Sequence, residues 1–178
     1  MQKMIDILSW LDDDDIEWMA AHGQRFTADA GEVVVERGQR GVWFFVVLEG
    51  DLMVEKMTWE PLAELHPGDV IGELSLLDNG PASATVRAVD SVVLLGVPMD
   101  ALMTRIETDD PFGKRLYWAI AEFLAVRMRR TMRHFTEPGG ASADDTLCPV
   151  GSGRQDELME TLARAPLAGP LAAQSLSA

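Results

Sequence analysis

The 178-residue chain is predicted to fold as a mainly β domain with flanking helices, an α+β class. Three observations predict it. Between Arg25 and Val97, short runs of Val, Leu and Phe alternate with turns marked by Gly31, Gly38, Gly41, Gly50, Gly68, Gly72 and Gly80, at intervals of roughly ten residues. Before this stretch, and again after Pro98, apolar residues recur at helical spacing instead. Many short strands with regular turns describe a β sandwich, jelly roll or barrel.

Residues 4–23 read as a helical entry segment, with Ile5, Leu8, Leu11, Ile16, Met19 and Ala20 three or four apart. The run Asp12–Asp15 suits a helix start, where carboxylates cap free amides and complement the dipole. No second ligand cluster accompanies it, so it does not read as a metal site. In the first strands Val33 and Val35 alternate with Glu32, Val34 and Glu36, placing Val33 and Val35 inward. Leu52 and Val54 do the same beside Asp51 and Glu55, and Leu48-Glu49-Gly50-Asp51 reads as a hairpin connection. Val42–Leu48 and Val92–Val97 are buried strands, far too short to span a bilayer as helices.

Residues 99–107 suit a short helix, and Asp110-Pro111 starts a longer one, proline being well placed in a first helical turn. Its apolar stripe runs through Leu116, Ala119, Ile120, Phe123, Leu124, Met128, Met132 and Phe135. Arg127, Arg129, Arg130, Arg133 and His134 crowd its last turns, where cations complement the dipole. Beyond Glu137 the chain is rich in Ala, Gly, Ser and Pro, so a domain over residues 1–135 and a mostly disordered tail over 136–178 are expected, with a faint helical pattern only at Gln155–Ala165.

A net charge of −14 disfavours a surface that tracks nucleic acid or an anionic membrane. One cysteine, Cys148, excludes an internal disulfide and fits a reducing, cytoplasmic setting; the aspartates cut the N-terminal apolar run too short for a signal peptide. Enzyme chemistry finds no footing. His22, His66 and His134 stand far apart, Cys148 lies in the tail, and there is no nucleophile elbow or Walker loop.

The stretch Ile71-Gly72-Glu73-Leu74-Ser75-Leu76-Leu77-Asp78-Asn79-Gly80-Pro81-Ala82-Ser83-Ala84-Thr85-Val86 carries the functional signal. Glycine leads into a short apolar helical turn bearing a carboxylate, then a Gly-Pro turn, small residues and a β-branched strand. Amides at such a turn can receive a phosphate, and Glu73 can accept hydrogen bonds from sugar hydroxyls. It resembles the phosphate-binding cassette of the cyclic-nucleotide-binding domain family. Glu36-Arg37-Gly38, Phe44–Gly50 and Leu65–Glu73 fit that family in order, so residues 5–135 are similar to the bacterial cAMP-receptor-protein-like effector domain, without its helix-turn-helix. The resemblance implies an eight-stranded β roll with an N-terminal helical segment and a long C-terminal helix.

It also implies site residues. Glu73 would bind the ribose 2′-hydroxyl, Gly72 and Leu74 would line the ligand, and Ser83 and Ala84 would meet the phosphate. Thr131 stands where the long helix would touch the base. The family's phosphate-pairing arginine falls on Ala82. A charge-assisted contact of that kind contributes about 1.5–3 kcal/mol, so its loss weakens binding by roughly ten- to a hundredfold. Arg87, on an odd strand offset, is expected on the opposite face, whereas Arg37 or Arg40 on a neighbouring turn are the candidates to replace the cation. Glu73 has a structural alternative, capping the short helix and tying nearby turns.

The implied function is a stand-alone regulatory sensor of cAMP or cGMP that needs no cofactor or metal, is not an enzyme, and acts through an unidentified effector protein. A homodimer through the 111–135 helix fits its wide apolar face with Tyr117 and Trp118. DNA and membrane contacts are not expected. The alternatives are a degenerate scaffold or dimerisation module, favoured by Ala82, and a sensor of another small ligand of lower charge.

Overall fold

The structure, a computed structural model, describes residues 7–55, 61–136 and 152–171. A 3-10 turn at Ile7–Trp10 leads into α1 (Asp13–His22). Six strands follow: β1 (Gln24–Ala28), β2 (Val33–Val35), β3 (Trp43–Glu49), β4 (Leu52–Glu55), β5 (Pro61–Leu65) and β6 (Val70–Ile71). The short α2 (Glu73–Asp78), β7 (Thr85–Ala88), β8 (Val92–Pro98), α3 (Met99–Thr108) and α4 (Asp110–Thr136) complete the expected order. Beyond them lie α5 (Ser152–Leu162) and β9 (Leu167–Pro170).

The strands form a five-stranded sheet, β6-β3-β8-β1-β9, facing a four-stranded sheet, β2-β7-β4-β5. Alternation along β3 builds two cores at once. Phe45 and Val47 point between the sheets, with Phe26, Leu52, Val54, Val86 and Leu94. Phe44, Val46 and Leu48 point to the outside of the five-stranded sheet, where the helices cover them with Ile16, Met19, Leu102, Phe112, Leu116, Ile120 and Phe123. Both faces of β3 are buried, which is why its sequence is continuously apolar. Gly96 on β8 has a steric cause, since a Cβ there would lie 2.6 Å from Phe26 and 2.9 Å from Phe45.

A buried ion cluster joins three helices. Asp12 and Asp15 form a capping box at the start of α1. The fully buried Asp15 then accepts from Arg115 of α4 at 2.7 and 2.9 Å and from Arg105 of α3 at 3.0 Å. Arg105 lies over the rings of Trp18 and Phe112, 4.7 and 4.2 Å from their centroids. Burial pushes the Asp15 carboxyl up, but the hydrogen bonds from Arg115 and Asp12 outweigh that and hold it below the ordinary aspartate range.

Two expectations are corrected. In β2 Val33 is exposed and Val34 is buried, while Val35 packs against the inner core as expected; the register shift against β7 between Val33 and Val35 breaks the simple alternation. The stretch expected as mostly disordered tail contributes α5 and β9. Leu158, Leu162 and Ala165 are buried in the outer core, Leu171 in the inner one, and β9 pairs in parallel with β1. Arg25 anchors this strap, its backbone N–H donating to Pro166 and its Nε to Ala165 at 2.8 Å each. The physical reason is packing: four apolar side chains cover surface that would otherwise be wet, a gain that composition does not register. Residues 137–151, with Cys148, lie outside the described residues.

Candidate functional site

The site is built where β6 ends and α2 begins. Gly72 caps α2 in a left-handed conformation (φ 99°), and a Cβ there would lie 2.9 Å from the Trp43 carbonyl. Glycine is therefore required twice, by conformation and by contact. The turn leaves the first amides of α2 without side-chain capping and sends Glu73 inward. Glu73 is 6% exposed, one of the two buried charged residues among those described. Leu74 is exposed, on the outer side of the short helix.

The partner of Glu73 comes from α4. Arg127 Nη1 donates to Glu73 Oε1 at 3.3 Å, and its guanidinium lies 5.3 Å from the Phe123 ring. Burial pushes the Glu73 carboxyl above the ordinary range, against the pull of Arg127 and of the Glu73 and Gly72 amides. Arg127 was expected only as one of several cations at a helix end, yet it reaches across to the cassette. A signal existed in its spacing: it stands one helical turn before Thr131, on the helix expected to cover the site. Thr131 is on α4 as expected, but its side chain lies outside the described residues.

At the far end of the cassette, residues 79–85 are zipped to the turn at 36–40. Gly38 N–H donates to the Ala82 carbonyl, and Ala82 N–H to the Gln39 carbonyl, at 2.8 Å each. Arg40 bridges Pro81, and Arg37 N–H meets Thr85 Oγ1 at 3.3 Å. Both backbone groups of Ala82 are thus engaged before any ligand arrives. Ser83 is exposed and Ala84 partly buried against the inner core, in the bend that leads into β7.

The cations considered for the place of Ala82 are sorted by the structure. Arg87 lies on the outer face, bound to Glu55 at 3.2 Å and to the Gly31 carbonyl at 2.8 Å. Arg40 donates to Asn79 Oδ1 at 2.9 Å, toward the end of α2 away from Glu73. The Arg37 side chain is exposed at the turn. The structure brings together Gly72, Glu73 and Arg127, whereas Arg40 and Arg87 are held by other partners and the Arg37 side chain is exposed. His22 and His66 do not converge either: His22 bonds the Trp18 carbonyl and His66 bonds Asp51. Among the described residues no three His, Cys, Asp or Glu side chains are placed to hold a metal ion.

Comparisons with known proteins point the same way. Residues 25–109 match the family described as cyclic nucleotide-binding domain. The chain is 35% identical over 104 residues to the cAMP-dependent protein kinase regulatory subunit of Mycosarcoma maydis, an alignment covering 57% of this chain and 19% of that protein. The chain spans a fifth or less of the length of three such regulatory subunits that it matches, with 19%, 20% and 14% of each covered. Among solved structures it is similar to a cyclic nucleotide-binding domain from Methylobacillus flagellatus, with TM-score 0.66 and 18% identity over 77% of this chain and 85% of that one. It is also similar to the N-terminal domain of a transcriptional regulator from Streptomyces coelicolor A3(2), with TM-score 0.56 and 27% identity over 78% of this chain and all (100%) of that one.

Proposed function

We propose, on the premise that residues 25–109 of this chain belong to the cyclic nucleotide-binding domain family, that the protein is a regulatory sensor domain whose cassette takes a cyclic nucleotide, cAMP or cGMP, with weakened affinity. The observation that carries this reading is the buried Glu73 at the start of α2, held by Arg127 of α4. A carboxylate is costly to bury without work to do. Here it stands at the helix start where sugar hydroxyls would meet it, and its partner belongs to the helix that would transmit occupancy. Ligand hydroxyls that compete for Glu73 would loosen or re-aim Arg127, and the position of α4 would follow. Arg127 joins Gly72, Glu73, Leu74, Ser83, Ala84 and Thr131 as a site residue in this reading.

Output would pass through a partner protein. Trp118, Ala121, Ala125, Met128 and Met132 repeat along α4 at alternating three- and four-residue steps, with Trp118 62% and Met128 63% exposed. That spacing supports a helical seam with a second copy of the chain. Among the described residues no helix is long and apolar enough to cross a membrane.

A second reading, a scaffold without a ligand, is favoured by Ala82, which supplies no cation and whose backbone groups are already engaged. Calorimetric titration with cAMP and cGMP, run beside Ala82→Arg, separates the two. Saturable binding by the natural chain, tightened about ten- to a hundredfold by the arginine, supports the sensor. Binding by the variant alone supports the scaffold.

A further inference from the structure

We infer that Trp43 is the ring-recognising wall of the proposed nucleotide site: a planar heteroaromatic ring, such as a purine, packs on its indole and accepts a hydrogen bond from its Nε1–H. The inference rests on the reading of the segment around Gly72 and Glu73 as a nucleotide site. β3 enters its sheet at Trp43, and its antiparallel pairing with β6 sets Phe45 opposite Ile71. β6 ends at Ile71 and the chain turns at Gly72, where the 2.9 Å approach of the Trp43 carbonyl to a built Cβ places the start of β3 against the residue that precedes Glu73.

The indole belongs to the inner core, not to the helix-covered one. Its centroid is 4.9 Å from the Phe26 ring at 67° and 6.4 Å from the Phe45 ring at 30°. Two aromatic neighbours fix its orientation. It nevertheless remains partly exposed, and its Nε1–H meets no acceptor among the described residues, while the one fully buried, unpartnered side-chain atom among them belongs to Arg105. An indole packed into a protein interior ordinarily finds a partner for that donor. Here the donor is not among the fully buried unpartnered atoms, and it stands on the residue whose carbonyl packs against Gly72, next to the Glu73 helix start. A ring nitrogen or carbonyl of the ligand supplies the missing acceptor. With no cation at Ala82, the ring contributes a larger share of recognition than the phosphate does.

The test follows intrinsic tryptophan fluorescence and calorimetry of the natural chain, Trp43→Phe and Trp43→Ala with cAMP and with adenosine. The expected result is quenching on titration that disappears in both variants, a Kd for cAMP raised about tenfold or more in Trp43→Ala, and adenosine within about tenfold of cAMP for the natural chain. Trp43→Phe keeps a ring in the core, so it reads out the lost donor should the alanine variant fail to fold. Binding of cAMP at unchanged Kd by both variants, with the quenching retained, overturns the role of Trp43 and leaves the cassette reading standing. Absence of binding of either compound to the natural chain overturns both.

Discussion

Glu73 and Arg127 are 54 residues apart in sequence, and their side chains meet at 3.3 Å between the cassette helix and the long C-terminal helix. The two groups are unequal: Glu73 is almost wholly buried, whereas the Arg127 side chain is 26% exposed. Removing the arginine therefore leaves a buried charge, while removing the charge leaves an arginine that can turn to water.

Arg127→Ala is expected to destabilise the fold by about 1–3 kcal/mol, below the range for a fully buried pair because the guanidinium is partly solvated. Glu73→Gln should cost less, and the double variant should recover most of the loss. Urea unfolding of all four proteins measures the cycle; additive losses would show that the contact contributes nothing.

The pH dependence of the Glu73 contribution has a definite sign. Its folded-state pKa lies above the unfolded value, so the native state holds the proton more tightly. The contribution of this group to stability is fully present below the unfolded value of about 4.3 and is lost as pH rises through the folded one. The stability of Glu73→Gln relative to the natural chain should thus increase between acid and neutral pH. A flat or decreasing difference in melts over that range would contradict it.

Asp15 behaves in the opposite sense. Its folded pKa is depressed, so its contribution is present above the unfolded value of about 3.9 and is lost as pH falls through the folded one. Asp15→Asn leaves Arg105 and Arg115 around a neutral amide and is expected to cost about 3 kcal/mol near neutrality. The penalty should shrink on acidification, a trend that denaturant titrations at several pH values would show.

The strap of α5 and β9 should be an integral part of the fold. Leu162 is fully buried against the outer core, so Leu162→Ala is expected to cost about 2–4 kcal/mol, the usual range for a buried leucine whose cavity relaxes only partly. A midpoint shift in urea close to zero would mean that the strap is detached in solution.

The α4 seam predicts a concentration-dependent dimer. Met128→Glu, which puts a charge on an exposed position of that seam, should give a monomer by light scattering with an unchanged circular dichroism spectrum. A natural chain that is monomeric at every concentration would remove the seam from consideration.

Much of the fold was legible because its signals are local. The alternation along β4, the glycine turns, the proline start of α4 and the acidic start of α1 each depend on neighbours within a few residues, and the elements lie where those patterns placed them. The cassette was legible for the same reason, since one unbroken stretch carries Gly72, Glu73 and the turn at Pro81.

The sequence by itself determined the mainly β class with flanking helices, the order of elements as far as α4, and the absence of an arginine at position 82. Only the tertiary structure decided which cation meets Glu73, which face of β2 is buried, and that residues 152–171 close the edge of β1. Patterns along a chain report what each segment can bury. They do not report which distant segment will cover it, and Arg127, Val34 and Leu162 owe their environments to partners that chain proximity does not name.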